Sequence, residues 1–167
     1  GKVYTTCDTA VVDISNGDTV LIGGFAGFGV PRGLIAALGQ KLVRGLTCVY
    51  SPGSWPESAK PSGIGQLVVN GQVAKLISAW PFGQDNGGVI KNAWQSGDLE
   101  IEIVPQGTLA ERLRAAGAGL GGVFIPTGSG TRFAEGKETR TFDQEECIFE
   151  LPLKADFALV KANIADT

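Results

Sequence analysis

A glycine-rich segment contains the residues best suited to chemistry. Residues 19–25 form an apolar run typical of a buried strand, and Pro31 suits the first turn of a helix. The glycines between them let backbone amides point into a cleft at the strand's carboxyl end, where the helix N-terminus adds partial positive charge. This arrangement favours a phosphate, a carboxylate or a developing oxyanion. Close packing of strand against helix is the alternative explanation. We expect Phe25 to pack in the core and Phe28 to line the pocket.

Two nucleotide-binding motifs are excluded. Gly27 and Gly29 would need a third glycine at position 32, which is Arg32, and no lone acidic residue follows about twenty positions on to hold a ribose. The glycine–lysine pattern of a P-loop ATPase is absent. The segment therefore indicates neither a dinucleotide nor an ATP site.

The histidine, cysteine and glutamate content limits the catalytic groups and metal sites that the chain could supply. The chain has no histidine, which excludes a histidine base, a Ser-His-Asp triad and a histidine-ligated metal. Its three cysteines are far apart, which indicates buried thiols of a reduced cytosolic protein and no zinc site or disulfide framework. We expect the glutamates to be solvated or to cap helices; those considered are Glu100, Glu102, Glu111, Glu135, Glu138, Glu145 and Glu146.

Composition sets the class of protein. The 167 residues are 43% hydrophobic and 19% charged, which suits one folded domain. A net charge of -3 gives no basic footprint for nucleic acid. No apolar stretch approaches the roughly 18 residues of a membrane helix. We expect a soluble protein that binds neither nucleic acid nor membrane.

Strands and helices alternate along most of the sequence. Apolar runs predict strands at 19–25, 46–50, 73–80, 99–104, 122–126 and 156–162, and residues 139–150 predict a hairpin that turns at Asp143-Gln144. Helices are expected over 5–13 and 64–70, with 86–95 a helix or irregular crossover. A further helix is expected after Pro31, and its apolar stripe would consist of Leu34, Ile35, Leu38 and Leu42. A capping box is expected at Thr5 with Asp8. A second one, at Thr108 with Glu111, is expected to begin a helix that ends at Gly117. The order predicts an α/β domain with a largely parallel sheet.

Residues 16–31 resemble a signature of the family I CoA-transferases, in their A (alpha) subunit. The shared features are Asn16-Gly17, three apolar residues, Gly23-Gly24-Phe25, and Gly29 followed by Pro31. Further segments resemble the same subunit in order along nearly the whole chain: 97–102, 105–112, 117–119, 126–128, 134–138 and 155–162.

The resemblance implies a fold and a reaction. The fold would be a three-layer α/β/α arrangement around an open, largely parallel sheet, related to the sugar-phosphate isomerase type. Residues 1–167 would be a single A-subunit domain that lacks the family's C-terminal segment. Such enzymes move coenzyme A from an acyl-CoA such as succinyl-CoA to a 3-oxoacid or similar carboxylate through a glutamyl-CoA thioester. That glutamate would belong to a B (beta) subunit, in a heterodimer or heterotetramer.

The resemblance also implies which residues line the cleft. This chain would hold no catalytic nucleophile, no metal and no permanently bound cofactor, and the CoA thioester would be a substrate. The residues expected to bind substrate or CoA are Gly23, Gly24, Phe25, Gly27, Phe28, Gly29, Gln106 and Gly107. For Gln106 and Gly107, helix entry is the alternative reading. Trp55, Trp80 and Trp94 are equally compatible with a subunit interface.

One segment departs from the family pattern. Where 3-oxoacid transferases carry an asparagine that supports the oxyanion, this chain has residues 50–54, Tyr-Ser-Pro-Gly-Ser. Ser51 or the amide of Gly53 would take that role. The departure leaves open a hydrolase or lyase of an oxoacid or acyl substrate on the same scaffold. A ligand-sensing module related to sugar-phosphate binders is a third, non-enzymatic alternative.

Overall fold

The computed structural model describes residues 3–25, 28–50, 63–82 and 88–165. These residues belong to two compact units, one formed by Gly1–Glu102 with Ala155–Thr167 and the other by Ile103–Lys154. The single domain over residues 1–167 stays a prediction.

The first unit contains a five-stranded sheet. Its strands are β1 (Thr19–Ile22), β2 (Leu46–Tyr50), β3 (Val73–Ser78), β4 (Glu100–Ile103) and β8 (Phe157–Leu159), in the order β4-β3-β2-β1-β8. Strand β1 runs parallel to both β2 and β8, and β2 runs parallel to β3. The prediction of an α/β fold with an open, largely parallel sheet is confirmed.

Apolar side chains in register build the core of this unit. Val20, Cys48 and Leu76 lie side by side on β1, β2 and β3, and all three are buried. They belong to the same core cluster as Leu38 and Leu67 from two of the helices. The helices of the unit are α1 (Cys7–Ala10), α2 (Arg32–Gln40), α3 (Ile64–Val69) and α4 (Gly88–Ser96). Continuous apolar runs in the strands fit a sheet with buried central strands.

Helices α1 and α2 differ from their predicted limits. The capping box of α1 is formed by Thr6 and Thr9, one residue later than predicted. Helix α2 ends at Gln40 because Lys41 is extended, so Leu42 leaves the apolar stripe and is 88% exposed. The Lys41 ammonium donates to the carbonyls of Val11, Val12 and Ile14, at 2.9, 2.5 and 2.6 Å. Lys41 thereby satisfies carbonyls at and just beyond the end of α1.

The second unit combines a helix with an antiparallel sheet. Helix α5 (Gln106–Gly117) precedes β5 (Val123–Ile125), a short 3-10 helix (Arg132–Ala134), β6 (Thr139–Phe142) and β7 (Glu145–Glu150). The strand order is β5-β7-β6, with both pairs antiparallel. Asp143 and Gln144 have φ of 45° and 70°, as a type I′ hairpin turn requires, so the predicted hairpin is confirmed. Strand β5 lies in this separate sheet.

The predicted capping box at Thr108 and Glu111 is wrong. Helix α5 begins at Gln106 after Pro105, and no side chain caps it. Thr108 lies inside the first turn, is buried, and its Oγ1 has no hydrogen-bond partner among the described residues. Glu111 instead accepts a hydrogen bond from Arg114 Nε at 2.8 Å. Proline starts the helix here because it supplies a helical entry without needing its own N–H.

Candidate active site

The parallel strands of the first unit end at one level. Ile22, the last residue of β1, pairs with Tyr50 at the end of β2 and with Leu159 at the end of β8. Val49 pairs with Ile77, one residue before the end of β3. The segments that follow these strands therefore leave the sheet along a common carboxyl edge, where open α/β sheets bind ligands.

The glycine segment forms a tight turn at this edge. The Gly23 amide donates to the Leu159 carbonyl at 2.9 Å. Phe25 and Phe28 exchange two backbone hydrogen bonds, each 2.9 Å long. Gly24 has a φ of 120°, and a Cβ there would lie 2.7 Å from Val30 Cγ2. Glycine at position 24 is thus required by both backbone conformation and space.

The turn uses three of its own amides internally. The N–H groups of Gly23, Phe25 and Phe28 all donate within the chain. In α2, the first helical bond is donated by Ile35 to Pro31, so the Gly33 and Leu34 amides precede the intrahelical ladder. Among the described residues, the amides of Gly24, Gly29 and the first turn of α2 remain for the predicted stabilisation of negative charge.

The turn is accessible to solvent and carries two exposed aromatic rings. Phe25 is 65% exposed and Phe28 is 75% exposed. The prediction that Phe25 packs in the core is wrong, because the turn carries this residue beyond the end of β1. Trp80, which follows β3, is 67% exposed, and its amide donates to Oγ of the buried Ser78 at 3.2 Å. Val160, which follows β8, is also 67% exposed.

The other residues predicted for the cleft are distributed as follows. Gln106 and Gly107 are exposed in the first turn of α5, in the second unit. A Cβ at Gly107 would lie 2.9 Å from Thr127 Oγ1, so local packing alone already favours glycine there. Gly27, Ser51 and Gly53 lie outside the described residues.

Cationic partners hold several of the glutamates. Lys75 lies 3.0 Å from Glu100 and 2.8 Å from Glu102, and hydrogen bonds to these carboxylates, that to Glu102 foremost, raise the pKa of Lys75 above its ordinary value. Arg140 Nη2 lies 2.9 Å from Glu138. These contacts hold the three carboxylates in ion pairs at the protein surface.

One buried ion pair was missed by the sequence analysis. Lys137 pairs with Glu150, whose side chain is only 6% exposed. Glu150 is the last residue of β7, two positions after the buried Ile148, so the alternation of the strand places both side chains on the same face. Lys137 lies in the loop before β6, where nothing in the sequence distinguishes it from a solvated lysine.

Other potential reactive groups are unsuited to catalysis. Burial raises the pKa of the Cys48 thiol to about 12, which keeps it protonated and unreactive. Within the four described ranges, no three histidine, cysteine, aspartate or glutamate side chains are grouped to hold a metal ion. None of the helices in the described part of the chain has the length and apolarity needed to cross a membrane.

Comparison with known proteins identifies a family. The sequence profile of the family described as Coenzyme A transferase matches residues 4–167. The chain is 41% identical to the A subunit of the 3-oxoadipate CoA-transferase of Pseudomonas putida, covering 99% of this chain and 69% of that protein. It is 41% identical to the alpha subunit of the acetate CoA-transferase of Escherichia coli K12, covering 91% of this chain and 66% of that protein. The chain thus spans about two thirds of the length of these relatives.

Solved structures share the fold. A variant of the decarboxylase AibA/AibB superposes with a TM-score of 0.74 at 25% identity, covering 93% of this chain and 60% of that one. An acyl-CoA transferase of Escherichia coli O157:H7, solved as a thioester complex with CoA, gives a TM-score of 0.75 at 22% identity. The match covers 92% of this chain and 34% of that one.

Proposed function

The chain belongs to the coenzyme A transferase family, and we propose that it is the A-type component of a heteromeric CoA-transferase. The complex would move CoA between an acyl-CoA donor and a 3-oxoacid or similar small carboxylate. The single observation that carries this proposal is the exposed glycine turn at the carboxyl edge of a parallel sheet, in a chain whose relatives are named as A or alpha subunits of such enzymes.

In this mechanism the attacking carboxylate is a glutamate of the partner subunit. It attacks the thioester carbonyl, forms a mixed anhydride with the acyl group and expels CoA thiolate. The thiolate then attacks the glutamyl carbonyl of the anhydride, which forms the glutamyl-CoA thioester and releases the donor's carboxylate. Charge develops on the carbonyl oxygen during attack, and amide donors at the turn stabilise it. We assign that role to Gly24, Gly29 and the N-terminus of α2. Ser51 and the Gly53 amide would add donors after β2, and Gln106 and Gly107 would line the acyl or pantetheine site.

The state of this chain's own glutamates supports a nucleophile from elsewhere. Glu100, Glu102 and Glu138 each pair with a lysine or arginine. Glu150 is buried against Lys137. Attack by any of these carboxylates would first have to break its ion pair.

CoA transfer is favoured over hydrolysis or cleavage of an oxoacid. The relatives that are about 41% identical are named as CoA-transferase subunits. The decarboxylase resembles this chain at only 25% identity. The hydrolase or lyase alternative is therefore not supported.

We further infer that the assembly is a heterodimer or heterotetramer, with no permanently bound cofactor. The described cysteines, Cys7, Cys48 and Cys147, are all free thiols, which favours the cytoplasm.

The test is covalent trapping in the assembled enzyme. The chain is co-expressed with its B subunit, incubated with an acyl-CoA, and both subunits are analysed by mass spectrometry. We expect a CoA adduct on a glutamate of the B subunit. Detection of an adduct on this chain instead, or none on either partner, would overturn the proposal.

A further inference from the structure

Helix α1 contacts helix α2 near both ends of α2. At the first turn of α2, the Cys7 thiol lies against Gly33, because a Cβ added to that glycine would be only 3.1 Å from Cys7 Sγ. At the other end, Lys41 follows the last residue of α2 and donates to carbonyls at and just beyond the end of α1. Helix α1 is itself fixed by its capping box. The position of α2 against α1 is therefore set at two points.

Glycine at position 33 is explained by space and not by backbone conformation. The φ of Gly33 lies outside the left-handed region, so alanine would adopt the same conformation and would favour the helix more than glycine does. The alanine Cβ would lie 3.1 Å from Cys7 Sγ, whereas ordinary van der Waals contact begins at 3.4 Å, so it would be about 0.3 Å too close. Glycine thus lets the first turn of α2 approach α1 closely, at a cost in helix propensity.

The same turn carries amides that the proposed function assigns to the developing oxyanion. The Gly33 and Leu34 amides precede the first intrahelical hydrogen bond, which Ile35 donates to Pro31. Such donors act when they lie about 2.7–3.1 Å from the oxygen that becomes charged. A movement of the turn by about 0.3 Å would therefore use up most of that range.

We propose that Gly33 is a positioning residue. Its lack of a side chain lets the first turn of α2 lie directly against the Cys7 thiol, and this depth places the amide donors of the turn. The effect is transmitted through the backbone of α2. This inference rests on the proposed CoA-transferase function and adds to it how the stabilising amides are held in place.

The experiment compares Gly33→Ala, Cys7→Ala and the double variant, each assembled with the B subunit. Succinyl-CoA is the donor, and the acceptor is whichever of acetoacetate, acetate and butyrate wild type uses best. Because a displacement of about 1 Å lowers rates about 100-fold, a shift of about 0.3 Å predicts that Gly33→Ala lowers kcat about fourfold. KM should stay unchanged, because the amides act on charge that develops only in the transition state.

Two further readouts separate positioning from a loss of structure. The urea midpoint of Gly33→Ala should equal or exceed that of wild type, because alanine is the better helix former. Cys7→Ala alone should change kcat by less than about twofold, since it adds no bulk. The double variant should return kcat to within about twofold of wild type, because removal of Sγ frees the space that the new Cβ needs.

Gly39→Ala is the matched control. Gly39 lies in the same helix, and a Cβ there would lie 3.6 Å from Asn70 Nδ2 and from Leu67 Cδ2, which is ordinary contact. This variant gains the same helix propensity without a steric conflict, and it should keep the kcat of wild type.

Each contrary outcome has a distinct meaning. Full kcat in Gly33→Ala, an equal loss in Gly39→Ala, or a loss that Cys7→Ala does not reverse overturns the positioning proposal and leaves the proposed function intact. A lower urea midpoint for Gly33→Ala, or its failure to assemble with the B subunit in native mass spectrometry, also overturns it, because the effect would then be one of general structure. Absence of transfer by wild type to every acid removes the proposed function, and this inference with it.

Discussion

Replacing Gly24 with alanine tests whether the shape of the glycine turn matters. Its φ of 120° is a conformation that side chains rarely adopt, which costs about 1–3 kcal/mol. The new Cβ would also lie 2.7 Å from Val30 Cγ2 and 3.1 Å from the Phe28 carbonyl oxygen. Since the second contact is with backbone, relief requires the turn to move, and overpacking adds about 1–3 kcal/mol. We expect Gly24→Ala to destabilise the protein by about 3 kcal/mol in total.

Gly71→Ala separates the two contributions. Gly71 also has a positive φ, 64°, but a Cβ added there would meet no atom within 4 Å, so only the backbone cost of about 1 kcal/mol applies. Urea unfolding gives the free energies of unfolding, and kcat/KM of the assembled enzyme gives the functional effect. A displacement of about 1 Å at a reacting centre lowers rates by about 100-fold. Equal destabilisation by the two variants would refute the steric contribution at Gly24, and full activity of Gly24→Ala would refute the assignment of the turn to the reaction.

Three further predictions concern other parts of the chain. Lys41→Met should cost about 2 kcal/mol by urea unfolding, because it leaves carbonyls at the end of α1 without a donor; a loss below about 0.5 kcal/mol would contradict this. Cys7 should react with iodoacetamide at pH 8 in the native protein while Cys48, with its pKa of about 12, does not; equal labelling by peptide mass spectrometry would contradict the burial of Cys48. Lys137→Met should lower the free energy of unfolding by about 3 kcal/mol, because it leaves the buried Glu150 carboxylate without a partner. Glu150→Gln should cost less, because it leaves Lys137, whose partly exposed side chain can regain water. The reverse order would contradict the geometry of the pair.

Sequence patterns predicted those elements whose signal is local. The apolar run at 19–25 gave β1 because a strand covered on both faces needs no polar alternation. The Asp143-Gln144 turn was recognisable because a polar pair separates two strand-like segments and Asp tolerates positive φ. The glycine turn could be located for a similar reason, since glycines clustered after an apolar strand have few other uses.

Long-range contacts decided where the predictions failed. Leu42 continues the 3.6-residue period of α2, but Lys41 leaves the helix and its ammonium binds carbonyls near the end of α1, about 30 positions earlier in the chain. Phe25 is apolar and follows a core strand, and only its backbone bonds to Phe28 show that it faces water. The burial of Glu150 depends on Lys137 from another segment, and single-residue patterns do not encode such a pair.

The arrangement of charge fits the proposed active site shared with a second subunit. A carboxylate nucleophile must be freed from water and from ion pairs before it attacks. Five glutamates of this chain are instead held in ion pairs, with Lys75, Arg114, Lys137 and Arg140. The glycine turn offers backbone dipoles and two exposed aromatic rings at the carboxyl edge of the sheet. A nucleophile supplied by a second subunit would enter this surface unpaired, and separating the attacking group from the stabilising amides keeps the carboxylate reactive until both chains and the thioester are assembled.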